Sequence, residues 1–274
     1  MTRIEKVSKW LEDNCSRKII YIGRIGAQNY HLDREGSDYD YKAIAIPSLE
    51  EVAMAHQPIS TTKEIPKEIC AGQVDIKDIR LMEKQWKKGS VNFTEILFTD
   101  EYYISPRYYN EMTAIRHMNE DIITANMSAV VRAMWGTCKE KRKAMTHPYP
   151  CQAEEIEKYG YASKQLHHLF RYCAMIKQLG KMKFQTVIDP LGSDEAPESY
   201  KDTFRFIKKI KTREIEYTLE EAEKIADELL NEVCSIVDRI VMNSSVDKNV
   251  LNMIDSKVIE IIKKAVSDEL NCVK

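Results

Sequence analysis

The hydrophobic pattern of this chain changes character once, near Pro106, and that change limits what it can fold into. Before it, short β-rich runs alternate with turns and brief helical stretches. Residues 3 to 14 place Ile4, Val7, Trp10 and Leu11 at helical spacing. Lys18 to Ile25 reads as a strand, and Ala27 to Leu32 as a short helical turn. A second strand, Tyr41-Lys42-Ala43-Ile44-Ala45-Ile46, stops at Pro47. Ser48-Leu49-Glu50-Glu51 has capping-box spacing for a short helix. Residues 56 to 72 hold two prolines and a glycine and read as loop, with room for one edge strand. Asp78 is placed to cap a helix reaching Lys88, and Asn92 to Phe98 has strand-type residues. After Pro106, residues 108–143, 152–180, 200–211, 218–243 and 246–269 all read as helices. Asp189 to Glu198, rich in Pro, Gly and acids, reads as a mobile loop. The pattern predicts an α+β chain: a mixed sheet with flanking helices over residues 1–104, then a helical unit over 105–274, with substrate in the cleft between them.

Within that frame, Ser37-Asp38-Tyr39-Asp40 stands at the head of the second strand. Residues two apart on extended chain point to one face, so Asp38 and Asp40 would aim at one point. Converging carboxylates repel, and a divalent cation relieves that repulsion. Just upstream, Gly26-Ala27-Gln28 follows the first strand, where a glycine lets backbone approach a phosphate. A third acid, Asp75, sits in the strand-like Gln73-Val74-Asp75-Ile76. Three acids from neighbouring strands would hold two metal ions for phosphoryl or nucleotidyl transfer. The plainer reading of Ser-Asp-Tyr-Asp is a turn and strand start. The stretch from Asp33 to Ile44 lacks the spacing of an EF-hand loop.

A second constellation falls on the helix predicted from Glu154 to Leu179. Lys164, His168 and Arg171 lie at i, i+4 and i+7, on one face, with Tyr161 a turn ahead. Such a face offers cations and a hydrogen-bonding ring to phosphates. Taken singly, Lys164 reads as a solvated surface residue. Tyr102, Tyr103, Tyr108 and Tyr109 read as packing rather than as base-stacking platforms.

These motifs resemble the polymerase-β-type nucleotidyltransferase superfamily. The chain is most similar to the nucleotidyltransferases associated with RNA repair and their phage-borne relatives. The similarity covers residues 18 to 180 in patches, through Gln28-Asn29-Tyr30, Ser37 to Asp40, Val74-Asp75-Ile76, Asn92 to Phe98, Tyr161 to Lys164, His168 and Arg171. It implies a nucleotidyltransferase-like sheet and catalytic, metal-binding roles for Asp38, Asp40 and Asp75. It implies magnesium or manganese as cofactor and a nucleoside triphosphate as substrate. Its phosphates would meet Gly26, Ala27, Gln28, Ser37, Lys164, His168 and Arg171. RNA, tRNA included, is the acceptor it suggests; a protein or small-molecule hydroxyl remains open. The matching turn in that family carries Ser after Gly, whereas here Ala27 keeps only the backbone amide. That departure keeps a second expectation in view: a catalytically weak or inactive module that binds a nucleotide or nucleic acid. Asn92 and Glu95 also match, with Glu95 expected on a strand near the acids or as a partner for a helix-face cation.

Composition adds exclusions. With 274 residues and 43% apolar content the chain can build a sizeable core. A formal net charge of −2 rules out a globally basic field for gripping nucleic acid. Local basic runs remain, at Lys139–Lys143 and Lys208–Arg213. Seven cysteines without a C-x-x-C pair argue against a zinc site and a disulfide framework. No signal-peptide core and no membrane-length apolar run is present, so a cytoplasmic protein is expected, in a bacterium or a phage-infected cell. Oligomeric state has no signature.

Overall fold

The computed structural model describes residues 1–272. The chain is α+β, with a five-stranded mixed sheet, flanking helices and a C-terminal helical region. Helix α1 (Arg3–Asn14) opens it under a capping box from Thr2 and Glu5. Strand β1 (Ile19–Arg24) leads into a 3-10 turn over Ala27–Tyr30. Strand β2 (Tyr41–Ala45) precedes α2 (Leu49–Ala53), which has the Ser48–Glu51 capping box expected from sequence. The 56–72 stretch contributes one edge strand, β3 (Ser60–Glu64). Then come β4 (Gln73–Asp78) and α3 (Ile79–Lys87), whose first turn is capped by the Asp78 side chain on the Arg80 amide.

The next segment departs from its sequence reading. Asn92 to Phe98 is not a strand: it is α4 (Val91–Thr94) followed by a 3-10 turn over Glu95–Leu97. Its β-type residues are selected by burial rather than by pleating. Val91, Thr94, Glu95, Ile96 and Leu97 are all buried, the Trp86 indole donates to Phe93 O, and the Tyr21 hydroxyl donates to Ile96 O. Strand β5 (Tyr102–Ile104) completes the sheet.

The helices after it are α5 (Tyr109–His117), α6 (Asn119–Thr124), α7 (Met127–Ala144), α8 (Ala153–Tyr159), α9 (Ser163–Gln178), α10 (Phe184–Ile188), α11 (Glu198–Lys211), α12 (Leu219–Asn243) and α13 (Lys248–Cys272). The single helix expected from Glu154 to Leu179 is broken into α8 and α9. Gly160 terminates α8 in the left-handed region at φ 80°, and Tyr161 lies in the gap. The Asp189–Glu198 loop is closed by its own hydrogen bonds, among them Gly192 N–H to Asp189 Oδ1 at 3.2 Å and Ala196 N–H to Ser193 O at 3.4 Å.

The strand order is β3-β4-β2-β1-β5, with β2 and β4 parallel and the other pairs antiparallel. One face packs on α1 through Ile22, Tyr41, Ala43, Val74 and Ile76 against Ile4, Val7 and Leu11. Strand β2 is buried along its whole length, so it does not alternate as a one-sided strand would.

Two compact units result, and they are drawn differently from a split after residue 104. Unit 1 contains Met1–Asn29, Gly36–Asn126 and the C-terminal stretch from Asp247. Unit 2 contains Tyr30–Glu35 and Met127–Val246. Helix α13 belongs with the sheet because ion pairs tie it there: Lys87 to Asp255 at 2.8 Å, Lys264 to Glu111 at 2.6 Å and Arg107 to Asp268 at 2.6 Å. In unit 2, α7, α9, α11 and α12 pack on one another. Tyr108 is fully buried in unit 1 and Tyr102 stacks with Tyr21 at 6.2 Å, but Tyr102 and Tyr109 are exposed, so the packing expected of these tyrosines holds only in part. No helix among the described residues is long and apolar enough to cross a membrane.

Candidate functional site

The acid pair lies in the lead-in to β2, not within it. The backbone is nevertheless extended there. The carbonyls of Asp38 and Asp40 both accept from the turn after β1, from Gln28 Nε2 at 3.3 Å and Ile25 N–H at 2.9 Å. The Tyr39 amide between them goes the other way, to Ala71 O at 2.8 Å. That alternation keeps the two carboxylates on one face. Asp38 is exposed and Asp40 half-buried. Among the described residues no hydrogen bond or ion pair engages the Asp38 carboxylate; Asp40 Oδ1 accepts the Gln73 amide at 3.3 Å.

The glycine turn is brought directly to them. Gly26 has φ 82°, a conformation that L side chains rarely adopt. A Cβ built there would stand 3.9 Å from Asp40 Oδ2. The Asn29 amide closes the turn onto Gly26 O at 3.1 Å. The buried Asn29 side chain then locks it, with Nδ2 donating to Arg24 O at 2.7 Å and Oδ1 accepting from Thr99 Oγ1 at 2.9 Å. Ala27 and Gln28 are half-buried at the head of this turn, and Ser37 is half-buried ahead of the acids.

Asp75 does not join as a third free acid. It stands opposite Lys42 in the parallel β2–β4 ladder. Lys42 Nζ pairs with it at 3.2 Å and Lys77 Nζ at 2.6 Å. Lys42 is buried, its ammonium 4.3 Å from the Phe93 ring centre, so its charge needs that carboxylate. Among the described residues no group of three or more His, Cys, Asp or Glu is gathered as a metal-holding cluster. Glu95 is buried on the short helical segment rather than on a strand, and Asn92 is exposed.

Sequence reasoning missed the cations beside the turn. Arg24, at the end of β1, pairs with Glu101 Oε2 at 3.1 Å; Arg3 lies 3.9 Å from the same oxygen and 3.4 Å over the Tyr39 ring. Tyr41 donates to Glu101 Oε1 at 2.7 Å, and burial and that carboxylate push its phenol well up. Arg24 was findable, since it immediately precedes the turn. Arg3 had no signal, because only the packing of α1 brings it there. A separate cavity of about 810 Å³ opens in unit 1 among Arg17, Ser48, Glu51, Asp268 and Glu269. Arg17 and Glu51 pair with each other there.

In unit 2 the α9 stripe runs from solvent to interior. Lys164 is exposed, His168 half-buried and Arg171 buried. The expected surface-facing Arg171 instead lays its guanidinium 4.1 Å over the Tyr30 ring and 5.1 Å from that of Tyr172. Tyr161 is buried in the gap before α9, its hydroxyl accepting the Tyr217 amide at 3.2 Å. The basic run on α7 is partly neutralised: Arg142 pairs with Asp227 at 2.8 Å and with Glu223 at 3.3 Å.

His167 and His168 pack ring to ring at 4.1 Å, and neither Nδ1 has a hydrogen-bond partner among the described residues. Burial first holds both well below the usual imidazole range, followed by Arg171 and Lys211 for His167, and by the adjacent His167 and then Arg171 for His168. Both states are neutral at His167 above about pH 6.5, so it adds no pH dependence there. Below that, the unfolded chain takes up a proton that the folded chain refuses, and stability falls, by up to about 1.4 kcal/mol per pH unit for this group. The denaturation midpoint should therefore drop from pH 7.5 to about pH 5, and His167→Gln should flatten that drop. An equal slope in the variant would show that His167 does not carry the effect.

No model of a known protein family matches the chain, and no curated protein matches it. Among solved structures it is similar to a nucleotidyltransferase-like protein from Exiguobacterium sibiricum. The identity is 9%, over 87% of this chain and 78% of that one, with a TM-score of 0.35. A likeness at that score lends no weight to a functional reading, which stands on the residues above.

Proposed function

We propose that this chain is a metal-dependent nucleotidyltransferase, moving a nucleoside monophosphate from a triphosphate to a hydroxyl acceptor. The observation that carries the reading is the Gly26 turn held against an extended Asp38–Asp40 segment, with Asp40 beside the glycine. Two hard oxygen donors on one face suit magnesium or manganese, which bind through one or two carboxylates together with substrate phosphates. Asp38 and Asp40 are the ligands in this reading. Asp75 is left out of the metal set, because two lysines already neutralise it. When bound, the metal would neutralise phosphate charge at the α-phosphorus and align the attack. The chain's own part is positioning. Gly26 admits a phosphate oxygen close to backbone, the amides of Ala27 and Gln28 supply donors, and Ser37 and Gln28 border the acids. An RNA end is the acceptor the motif resemblance favours.

A second reading has observations of its own. Ala27 lacks the hydroxyl of the resembled turn, and Asp75 is engaged by lysines. Both suit a module that binds a nucleotide or nucleic acid without chemistry. Incubation with each labelled triphosphate, magnesium or manganese, and a mixed RNA pool separates the two. Metal-dependent label transfer with pyrophosphate release supports the enzyme; binding with neither supports the module.

The turn has its own test. Ala27→Ser should keep or improve triphosphate affinity, since a hydroxyl fits a half-buried turn position. A charge-assisted hydrogen bond contributes at most about 1.5–3 kcal/mol, and less where water already serves. Calorimetric titration that shows a large loss of affinity would mean the turn serves another ligand.

A further inference from the structure

Helix α11 carries two lysines that meet main chain instead of acids. Lys211 Nζ donates to Leu32 O at 2.6 Å and Lys208 Nζ to His31 O at 3.3 Å, both on the Tyr30–Glu35 segment of unit 2. Among the described residues neither lysine, nor Lys164, has a carboxylate at ion-pair distance. Lys211 is half-buried. The charged groups that act on it are Arg34 and Asp33 from the segment and Arg171 and Lys164 from α9. His167, also on α9, is held neutral in part by Lys211 itself. Arg34, Arg171 and Lys164 thus disfavour the charge on this half-buried ammonium, and Asp33 favours it.

The segment they surround is built rather than loose. His31 sits in the left-handed region at φ 51°. Its Nε2 pairs with Asp189 at 3.3 Å, and a Cβ on Gly192 would stand 2.3 Å from that carboxylate and 3.0 Å from that nitrogen. Arg171 clamps the neighbouring Tyr30 ring. Like charges held together at a fixed point store repulsion that an anion relieves.

We propose that unit 2 contains a phosphate-binding site centred on Lys211, with Lys208, Arg34 and Lys164 around it, for a phosphate ester or anhydride ligand. The site deepens the nucleotidyl-transfer reading and rests on it only for the class of ligand. Burial and the surrounding cations lower Lys211 to about 8. A bound phosphate reverses the balance, so binding near that pH draws a proton onto Lys211. Arginine stays charged throughout, so Lys211→Arg keeps the attraction and loses the proton uptake.

The test is calorimetry of the full chain with tripolyphosphate, in EDTA, in two buffers of different ionisation enthalpy. Lys211→Met should weaken binding about tenfold or more, with Lys211→Arg close to wild type. Proton uptake near pH 8 should be larger in wild type than in Lys211→Arg, a comparison that cancels the ligand's own titration. A merely structural lysine would not give that difference. Should Lys211→Met fail to fold by circular dichroism, Lys208→Met with Lys164→Met takes its place, with the same loss expected. A single-stranded oligoribonucleotide forms the second arm. Loss for tripolyphosphate alone assigns a nucleotide tail, and loss for the oligoribonucleotide assigns a backbone phosphate. Unchanged affinity for both overturns the proposal. The Asp38→Asn, Asp40→Asn double variant should retain this metal-free binding even if no transfer is ever detected. Its loss there would place the ligand at the acid turn and overturn the proposal while leaving the transfer reading standing.

Discussion

Asp38→Asn and Asp40→Asn should each abolish metal-dependent transfer while leaving the fold intact. The two carboxylates share one face of an extended segment, next to a glycine turn that admits a phosphate. An amide keeps the shape and one acceptor oxygen but removes the charge that holds a hard cation. Losing one well-placed electrostatic stabiliser typically lowers kcat by about 10²–10³-fold, or ~2.7–4 kcal/mol. Stability should barely move. Asp38 is exposed, and at position 40 an asparagine Oδ1 can still accept the Gln73 amide. Removing like charge from an empty metal site is neutral or mildly stabilising. Initial rates of pyrophosphate release, set beside urea midpoints, decide it. Full metal-dependent activity in the double variant would sink the assignment of these acids; a collapsed midpoint would show that they hold the fold instead.

What the sequence made legible was local. The opening helix, the first two strands, the Ser48–Glu51 capping box and the Asp78 cap depend on residues within a few positions of one another, and they stand where expected. So does the approach of the Gly26 turn to the acids, because only a short connection separates them. Legibility ended where tertiary partners decide. Val91 to Leu97 carries β-type residues yet is helical: its side chains are mostly buried, and its carbonyls at Phe93 and Ile96 accept from the Trp86 indole and the Tyr21 hydroxyl. Asp75 reads as a third catalytic acid until β2 and β4 pair in a register that sets Lys42 opposite it. Arg171 reads as a surface cation until the Tyr30 ring comes under it. Helix α13 reads as part of a helical half until Asp255, Asp268 and Lys264 find partners more than 150 positions earlier in the chain.

Gly72→Ala should be among the most damaging single changes in unit 1, and it should act through the acid pair. Gly72 has φ 146°, outside the range of L side chains. A Cβ there would stand 2.1 Å from Tyr39 O, 2.6 Å from Tyr39 C and 2.9 Å from Tyr39 N. Those are backbone atoms, so no side chain can swing away to make room. Tyr39 is the residue between Asp38 and Asp40, and its amide is bonded to Ala71 O at 2.8 Å. The Gln73 amide on the other side of the glycine holds Asp40 Oδ1. Relief of the clash therefore has to move the 38–40 segment away from β4, and with it both carboxylates relative to Gly26. Backbone strain of this kind costs about 1–3 kcal/mol, and the lost hydrogen bonds add to it. Gly36→Ala is the control. It also has positive φ, at 76°, but nothing lies within 4 Å of its Cβ position. It should cost only the left-handed penalty, about 1–2 kcal/mol, and leave activity alone. Urea midpoints and pyrophosphate release for the two variants make the comparison. If Gly72→Ala matches Gly36→Ala in both, the close approach of the 71–73 backbone does not set the position of the acids, and some other contact must.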